Sequence, residues 1–311
     1  MINRILIRIK IVQILYSYYQ SDEKSLLQVK KELSHSFDKA YELYFHLLLL
    51  ATYITNVAEQ RIEVKRNKFR PSADDLSPNT RFIDNRFIKQ LSKNEEFTKF
   101  ITQHKLSWAN HSDVVKNTLE EIEKSRFYAE YMEDETSDYQ KDKEIWLKIF
   151  RKILFTNDAL NSALEEQSIY WVDDAETIIS FILKTIRHFE EENGRFQELM
   201  PMFCNDEDKN FGIKLLSTSI SSADEFKTLI DGHTKNWELG RIAFMDILIM
   251  QIALAEIVTF PTIPVNVTLN EYIEIAKFYS TGDSAGFING VLDNIVKQLQ
   301  NEKKLIKVVK F

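Results

Sequence analysis

Six histidines, His35, His46, His104, His111, His188 and His233, are where metal or acid–base chemistry would begin. Glu32-x-x-His35 puts a carboxylate and an imidazole on one helix face at the spacing used by carboxylate-bridged metal sites. Such a site needs two of these motifs and two further carboxylates on facing helices, and no second Glu-x-x-His occurs. The chain has no P-loop, no glycine-rich dinucleotide turn and no Gly-x-Ser-x-Gly elbow. Its first glycine is Gly194, which excludes glycine-rich phosphate loops from everything before it. The many carboxylates read as solvated helix faces. We therefore expect no enzyme, no metal and no cofactor.

Binding chemistry is better represented. Phe287 stands four residues after Asp283 and three after Ser284. An aromatic ring at a helix start can stack a base while backbone N–H groups meet a phosphate or a base edge. The same spacing also suits a core residue, and spacing alone leaves both readings open.

The elements that would carry this ring lie in Pro264–Asp293, which reads as two helices joined by a polar corner. Thr268 and Glu271 have capping-box spacing, and Leu269, Tyr272, Ala276 and Tyr279 share a face. Ser280-Thr-Gly-Asp should end this helix, with Gly282 in the left-handed conformation. Asp283 or Ser284 should cap the next, whose apolar face is Phe287, Val291 and Ile295 beside Ile288, Leu292 and Leu299. Gly290, inside that helix, costs about 1 kcal/mol relative to alanine, which suggests that another backbone or a ligand comes close there.

The rest of the 311-residue chain has only 7 Gly and 5 Pro. A sandwich of many strands needs far more turn residues, so the expected class is all-α. The single cysteine, Cys204, rules out a disulfide framework and fits a reducing, cytoplasmic setting. The N-terminus is broken by Arg4, Arg8 and Lys10 and does not read as a signal peptide. Ile242–Phe260 is the most membrane-like stretch, but it contains Asp246, Gln251 and Glu256, so a buried helix is expected and no membrane partner. Net charge is −7. Residues 1–70 hold 12 basic and 7 acidic side chains, residues 71–228 hold 20 and 31, and residues 229–311 hold 8 and 9. This asymmetry implies different partners for different parts.

Helical periodicity predicts a first helix over 3–20, with Ile5, Ile9, Val12, Tyr16 and Tyr19 at near-heptad spacing and Arg4 and Arg8 on a basic edge. A second helix is expected over about 22–36 and a third from Asp38 to Arg61, ending in the basic run Arg61–Arg70. Pro71–Pro78 reads as a linker. Helical patterns follow at 79–103, 113–132, 143–155 and 175–189, with loops at 132–142 and 193–210. A helix over 223–234 precedes the nearly all-apolar stretch Trp237–Glu256, expected to be the central helix of its bundle.

The C-terminal residues resemble the NusB family of bacterial antitermination factors. The resemblance is carried by Glu256, Ile-Pro264-Val, Asn270-Glu271, Glu274-Ile-Ala-Lys277 and Phe287-Ile-Asn-Gly-Val-Leu-Asp293. Val12-Gln-Ile-Leu-Tyr16-Ser and Tyr44-Phe45-x-x-Leu-Leu resemble the family's first and third helices. The likeness spans about 1–60 and 225–311. It implies a two-subdomain helical bundle with an N-terminal subdomain over 1–64, an acidic helical insertion over 65–225 and a C-terminal subdomain over 226–311. It further implies an RNA-binding antitermination factor that recognises boxA-type leader RNA of ribosomal operons together with NusE, within the transcription elongation complex. The family's RNA surface maps to Arg4 and Arg8 and to Asp283 and Phe287; since the first helix is poor in arginine, Lys10 or the run Arg61–Arg70 is expected to compensate. Its partner surface maps to Asp246. The alternative is a helical scaffold that keeps protein contacts and has lost specific RNA binding. A ribosomal RNA cytosine methyltransferase with a similar leading domain would need a long α/β domain and catalytic cysteines.

Overall fold

The computed structural model describes residues 1–21, 25–136, 138–234 and 242–308. Among them every regular element is helical. The chain opens with α1 (Arg4–Tyr19) and α2 (Leu26–Arg66). There follow α3 (Ala73–Leu76), α4 (Arg86–Ser92), α5 (Glu95–His104), α6 (Ser112–Lys124), α7 (Arg126–Glu133) and α8 (Tyr139–Lys152). Next come α9 (Asp158–Gln167), α10 (Ala175–His188), α11 (Asp206–Ser221) and α12 (Ala223–His233). The last three are α13 (Phe244–Thr259), α14 (Val265–Tyr279) and α15 (Ser284–Asn301). The start of the expected central helix, Trp237–Arg241, and residues 309–311 lie outside the described residues.

The chain divides into two compact units. The middle unit is Asp38–Met202 with Met1, and the terminal unit is Ile2–Phe37 with Phe203–Phe311. The expected boundaries at 64 and 225 do not match this division. Two features explain why. The second and third expected helices are one helix, α2, because the polar residues read as a break bond back onto the helix that carries them. Ser34 Oγ donates to the Lys30 carbonyl at 3.2 Å, and Ser36 Oγ to the Leu33 carbonyl at 2.8 Å. The other feature is α11, which begins inside the loop expected at 193–210 and packs on α1 and α13, so residues 203–225 belong with the termini.

With so few glycines and prolines, helices start on side-chain caps. Asn3, Asn85, Asn94, Asn157 and Asn205 each accept a backbone N–H from the first turn of the helix that follows, at 2.7–3.1 Å. α5 ends on Lys105 at φ 53°, where a glycine would be usual. α10 ends against the buried Lys143, whose ammonium donates to the carbonyls of Arg187 (3.1 Å) and Phe189 (2.8 Å). Cations suit helix C-termini, where carbonyls lack partners.

The core of the middle unit is aromatic. Phe45 stacks on Phe100 at 3.8 Å and Phe82 on Trp146 at 5.6 Å. His46 is buried and stacks on Trp108 (4.3 Å) and Trp171 (5.1 Å). Burial lowers its pKa to about 4. In the terminal unit α13 is the hub. It packs on α1, α11, α12, α14 and α15, as a central helix should. α11 comes close enough to α1 that a Cβ added at Gly212 would lie 3.0 Å from a methyl of Ile7 and 3.3 Å from Phe37. Within the chain the close approach is at Gly212 and not at Gly290. Gly290 is exposed, with nothing within 4 Å of an added Cβ.

Gly212→Ala is expected to destabilise the chain by about 1–3 kcal/mol through overpacking, whereas Gly290→Ala should stabilise it by about 0.5–1 kcal/mol. Urea unfolding of the two variants checks this, and equal shifts would contradict it. His46 gives a second expectation. Unfolded histidine titrates near 6.5, so as pH falls from there toward about 4 the unfolded state takes a proton that the native state refuses. The wild type should lose about 2 kcal/mol more than His46→Phe between about pH 7 and about pH 5. Parallel pH dependences would exclude this role.

Candidate nucleic-acid interface

The corner between α14 and α15 is exposed at Thr281, Gly282 and Asp283 and is fixed from below. Asp246, in the first turn of α13, is buried. Its carboxylate accepts from Ser280 Oγ, the residue that ends α14, and from Ser284 Oγ at 3.0 Å, the first residue of α15. Ser284 Oγ also lies 2.7 Å from Thr281 Oγ1 and 3.0 Å from Ser280 Oγ. One buried carboxylate thus holds both helix ends and the turn between them. Gly282 keeps an ordinary negative φ, so the expected left-handed cap is replaced by this hydroxyl cluster. Asp283 occupies the N-cap position of α15 but makes no side-chain cap bond. Its carbonyl accepts from Phe287 N at 3.3 Å. The Phe287 side chain is half-buried and Asp283 is exposed.

A second buried carboxylate holds the other end of α14. Glu256 is fully buried in α13, and each of its oxygens accepts two hydrogen bonds. Oε1 takes Arg8 Nη2 at 2.7 Å and Thr268 Oγ1 at 2.9 Å. Oε2 takes Arg8 Nε at 2.8 Å and Tyr272 OH at 3.0 Å. A carboxylate has about four acceptor sites, so Glu256 is saturated. Arg8 also donates through Nη1 to Glu271 at 3.2 Å, and its guanidinium lies 5.5 Å from the Phe211 ring centroid. Burial works against the arginine's charge, but the hydrogen bond and charge of Glu256 outweigh it and raise its pKa. Burial first, and then the Glu256 charge, push the Tyr272 hydroxyl well above its ordinary range.

Several expectations change here. Arg8 is not on a basic edge. It is only 3% exposed and its guanidinium is committed to Glu256 and Glu271. Lys10 is buried as well, at 1%. Of the basic residues expected to meet RNA from α1, Arg4 alone keeps a partly exposed side chain, and it pairs with Asp208 of α11 at 3.1 Å. Thr268 and Glu271 do not form a capping box. α14 starts earlier, after Pro264, and both side chains serve the Arg8 cluster. Asp246, expected on a partner surface, is beneath the corner. Of the near-heptad set on α1, Val12 is buried whereas Ile5, Tyr16 and Tyr19 are exposed. Tyr16 and Tyr19 instead meet the exposed ring of Phe244, with centroids at 5.8 and 6.1 Å. Periodicity missed this surface patch because α1 is apolar on nearly every side.

Comparison with known proteins now bears on the geometry. The NusB family model matches residues 176–297, which takes in the whole corner and both carboxylates of α13. A transcription antitermination protein NusB of Chloroherpeton thalassium is 39% identical over 99 residues, 32% of this chain and 47% of the relative. The chain thus spans about half the length of that relative. A NusB of Salinibacter ruber is 33% identical over 132 residues, 40% of this chain and 82% of the relative. The chain belongs to the NusB family. A solved structure of T. maritima NusB is 27% identical and covers 44% of this chain and 85% of its own, with a TM-score of 0.29, too low to bear on the fold. The NusB match begins at residue 176, so α10, α11 and α12 fall inside it, although the insertion was expected to run to 225. Among the described residues no helix is long and apolar enough to cross a membrane.

In this chain the Arg8 cluster is a structural support. Arg8→Met would leave the buried Glu256 without its counter-charge and short of two donors. It should cost about 3–5 kcal/mol in urea unfolding, and much of that should return in Arg8→Met/Glu256→Met, which removes both charges. A loss below about 1 kcal/mol for the single variant would show that the pair is not a support.

Proposed function

We propose that this chain is an antitermination factor that takes up boxA-type leader RNA together with a NusE partner and delivers it to the elongation complex, with no catalytic step of its own. The observation that carries the reading is the corner. Inside the family-matched region, exposed Asp283 and half-buried Phe287 stand at a turn whose two flanking serine hydroxyls are tied to a buried carboxylate. Phe287 would stack a base, Asp283 would accept from a base edge, and Arg4 would add a phosphate contact from α1. Burial of Arg8 and Lys10 leaves few cations for phosphate, so RNA affinity of the chain alone should be weak and its salt dependence shallow. A protein partner then supplies part of the RNA surface. For that partner the exposed aromatic patch of Tyr16, Tyr19 and Phe244 is the better contact than Asp246, because large amphipathic rings anchor protein interfaces. Asp246 acts through the corner as a positioning residue.

Titrating a boxA-like single-stranded RNA and a scrambled one, with and without NusE and at two salt concentrations, tests this. Preference for the boxA-like RNA, strengthened by NusE, is expected. Equal binding of both RNAs would leave the scaffold reading in its place. Phe287→Ala should weaken the boxA-like complex by about 10-fold if the ring stacks a base. A variant that melts early with no selective loss of RNA would make Phe287 a core residue.

A further inference from the structure

The end of α2, whose basic run was expected to stand in for missing arginines of α1, carries a feature that the corner does not use. Five of the ten residues from Arg61 to Arg70 are basic and one is acidic. Two of the five are occupied. Arg61 donates to Glu120 at 3.1 Å and Glu123 at 3.0 Å, and Lys68 pairs with Asp75 at 3.1 Å. Lys65 and Arg66, in the last turn of α2, and Arg70 beyond it are exposed. Between them stands Phe69, 96% exposed, with the Arg70 guanidinium 6.0 Å from its ring centroid. Lys65 and Arg66 have an ordinary role as cations at a helix C-terminus. Phe69 has none. A phenylalanine left almost wholly in water forfeits the burial that places such residues in cores, and here the ring lies beside the Arg70 guanidinium, with the exposed Lys65 and Arg66 four and three residues before it.

We propose that this end of α2 is a second, sequence-tolerant contact for single-stranded RNA, in which Phe69 stacks a base and Lys65, Arg66 and Arg70 meet the backbone phosphates. An exposed ring among cations is the pairing that binds single strands, because every base offers a π-face and the backbone offers regular charge. Duplex RNA fits less well, since its bases are already stacked and its deep groove is closed to side chains. A lipid surface also fits less well. Membrane-lying helices need a continuous apolar face, and the exposed residues of the last turns of α2 include Glu59, Gln60 and Glu63 beside Val64. Glu63 and Asp74, both exposed nearby, subtract from the attraction, so the ring carries much of the binding and the contact is modest by itself. The site belongs to the middle unit, whereas the corner belongs to the terminal one, so each can fail without the other.

The probe is labelled oligouridylate, which has no boxA-like sequence, titrated by fluorescence anisotropy over a range of salt with the full chain. Phe69→Ala should weaken binding by about 10-fold and Phe69→Trp should retain it. Lys65→Ser/Arg66→Ser/Arg70→Ser should make the salt dependence shallower by about 2 in log–log slope, at roughly 0.7 for each phosphate no longer neutralised. Phe287→Ala should leave both differences in place. All these side chains at the end of α2 are exposed, and unchanged melting temperatures would exclude misfolding. Binding of oligouridylate that is absent, or equal in all variants, overturns the proposal. So does a loss in the charge variant with none in Phe69→Ala, which would remove the stacking contact. Sedimentation with phosphatidylserine vesicles that depends on Phe69, without RNA binding, would assign the site to membranes instead.

Discussion

The ion pair of Arg8 and Glu256 is the constraint on which the terminal unit depends. α13 is apolar on nearly every side, and a helix of that kind has little register of its own. Rotating or sliding it would bury nearly as much surface. Glu256 removes the freedom. A carboxylate in the core is tolerated only when its charge is paired and its acceptor sites are filled, and the donors that fill them sit on α1 and α14. Two further polar residues of α13 repeat the logic at other levels. Gln251 donates to the Ser219 carbonyl of α11 at 2.6 Å and to Tyr19 of α1 at 2.7 Å. Asp246 takes the serines that flank the corner. Glu256 meets Thr268 while Asp246 meets Ser280, so α13 and α14 run antiparallel in one register. The hydrophobic term makes this bundle compact, and its three polar rungs make it single-valued.

The middle unit solves a different problem. Its chain must turn many times, with a single glycine between residues 38 and 202. Asparagine caps do the work, and their carboxamides have a second use. Asn85 Nδ2 donates to the Asp142 carbonyl at 3.0 Å, and Asn94 Nδ2 to the Gln197 carbonyl at 2.7 Å. Each cap therefore ties a helix start to a segment distant in sequence. A glycine turn would have freed the backbone and made no such link.

What was legible in the sequence follows from this difference. Fold class, the extent of α1 and the two helices around the corner follow from period and composition, because long amphipathic segments declare their own geometry. The break expected near residue 37 failed, since a serine looks alike as a cap and as a mid-helix residue that bonds back to its own turn. α11 was hidden because its start, Asp206–Asp208, is acidic and its buried face is short. The corner was legible as a location, but its mechanism was not. Thr268 and Glu271 have capping-box spacing, and only the position of Arg8, some 260 residues earlier, shows that they serve another partner. Glu256 stood in plain view as a charge in an apolar helix. Such a residue announces that a partner exists without saying which.

Burial of Arg8 also changes what the basic N-terminus means. Counting charges along residues 1–70 suggests an electrostatic surface, but Arg8 and Lys10 are buried and Arg4 is matched by Asp208. The attraction that remains on α1 is small. A corner held by a buried carboxylate compensates in another way. Its backbone and hydroxyls are already ordered, so a ligand that fits it need not meet the entropy of ordering a loop. Few cations and a rigid turn together favour discrimination over raw affinity, because phosphate attraction strengthens right and wrong sequences alike. The arginine contributes most by staying inside, where it fixes the shape that is read.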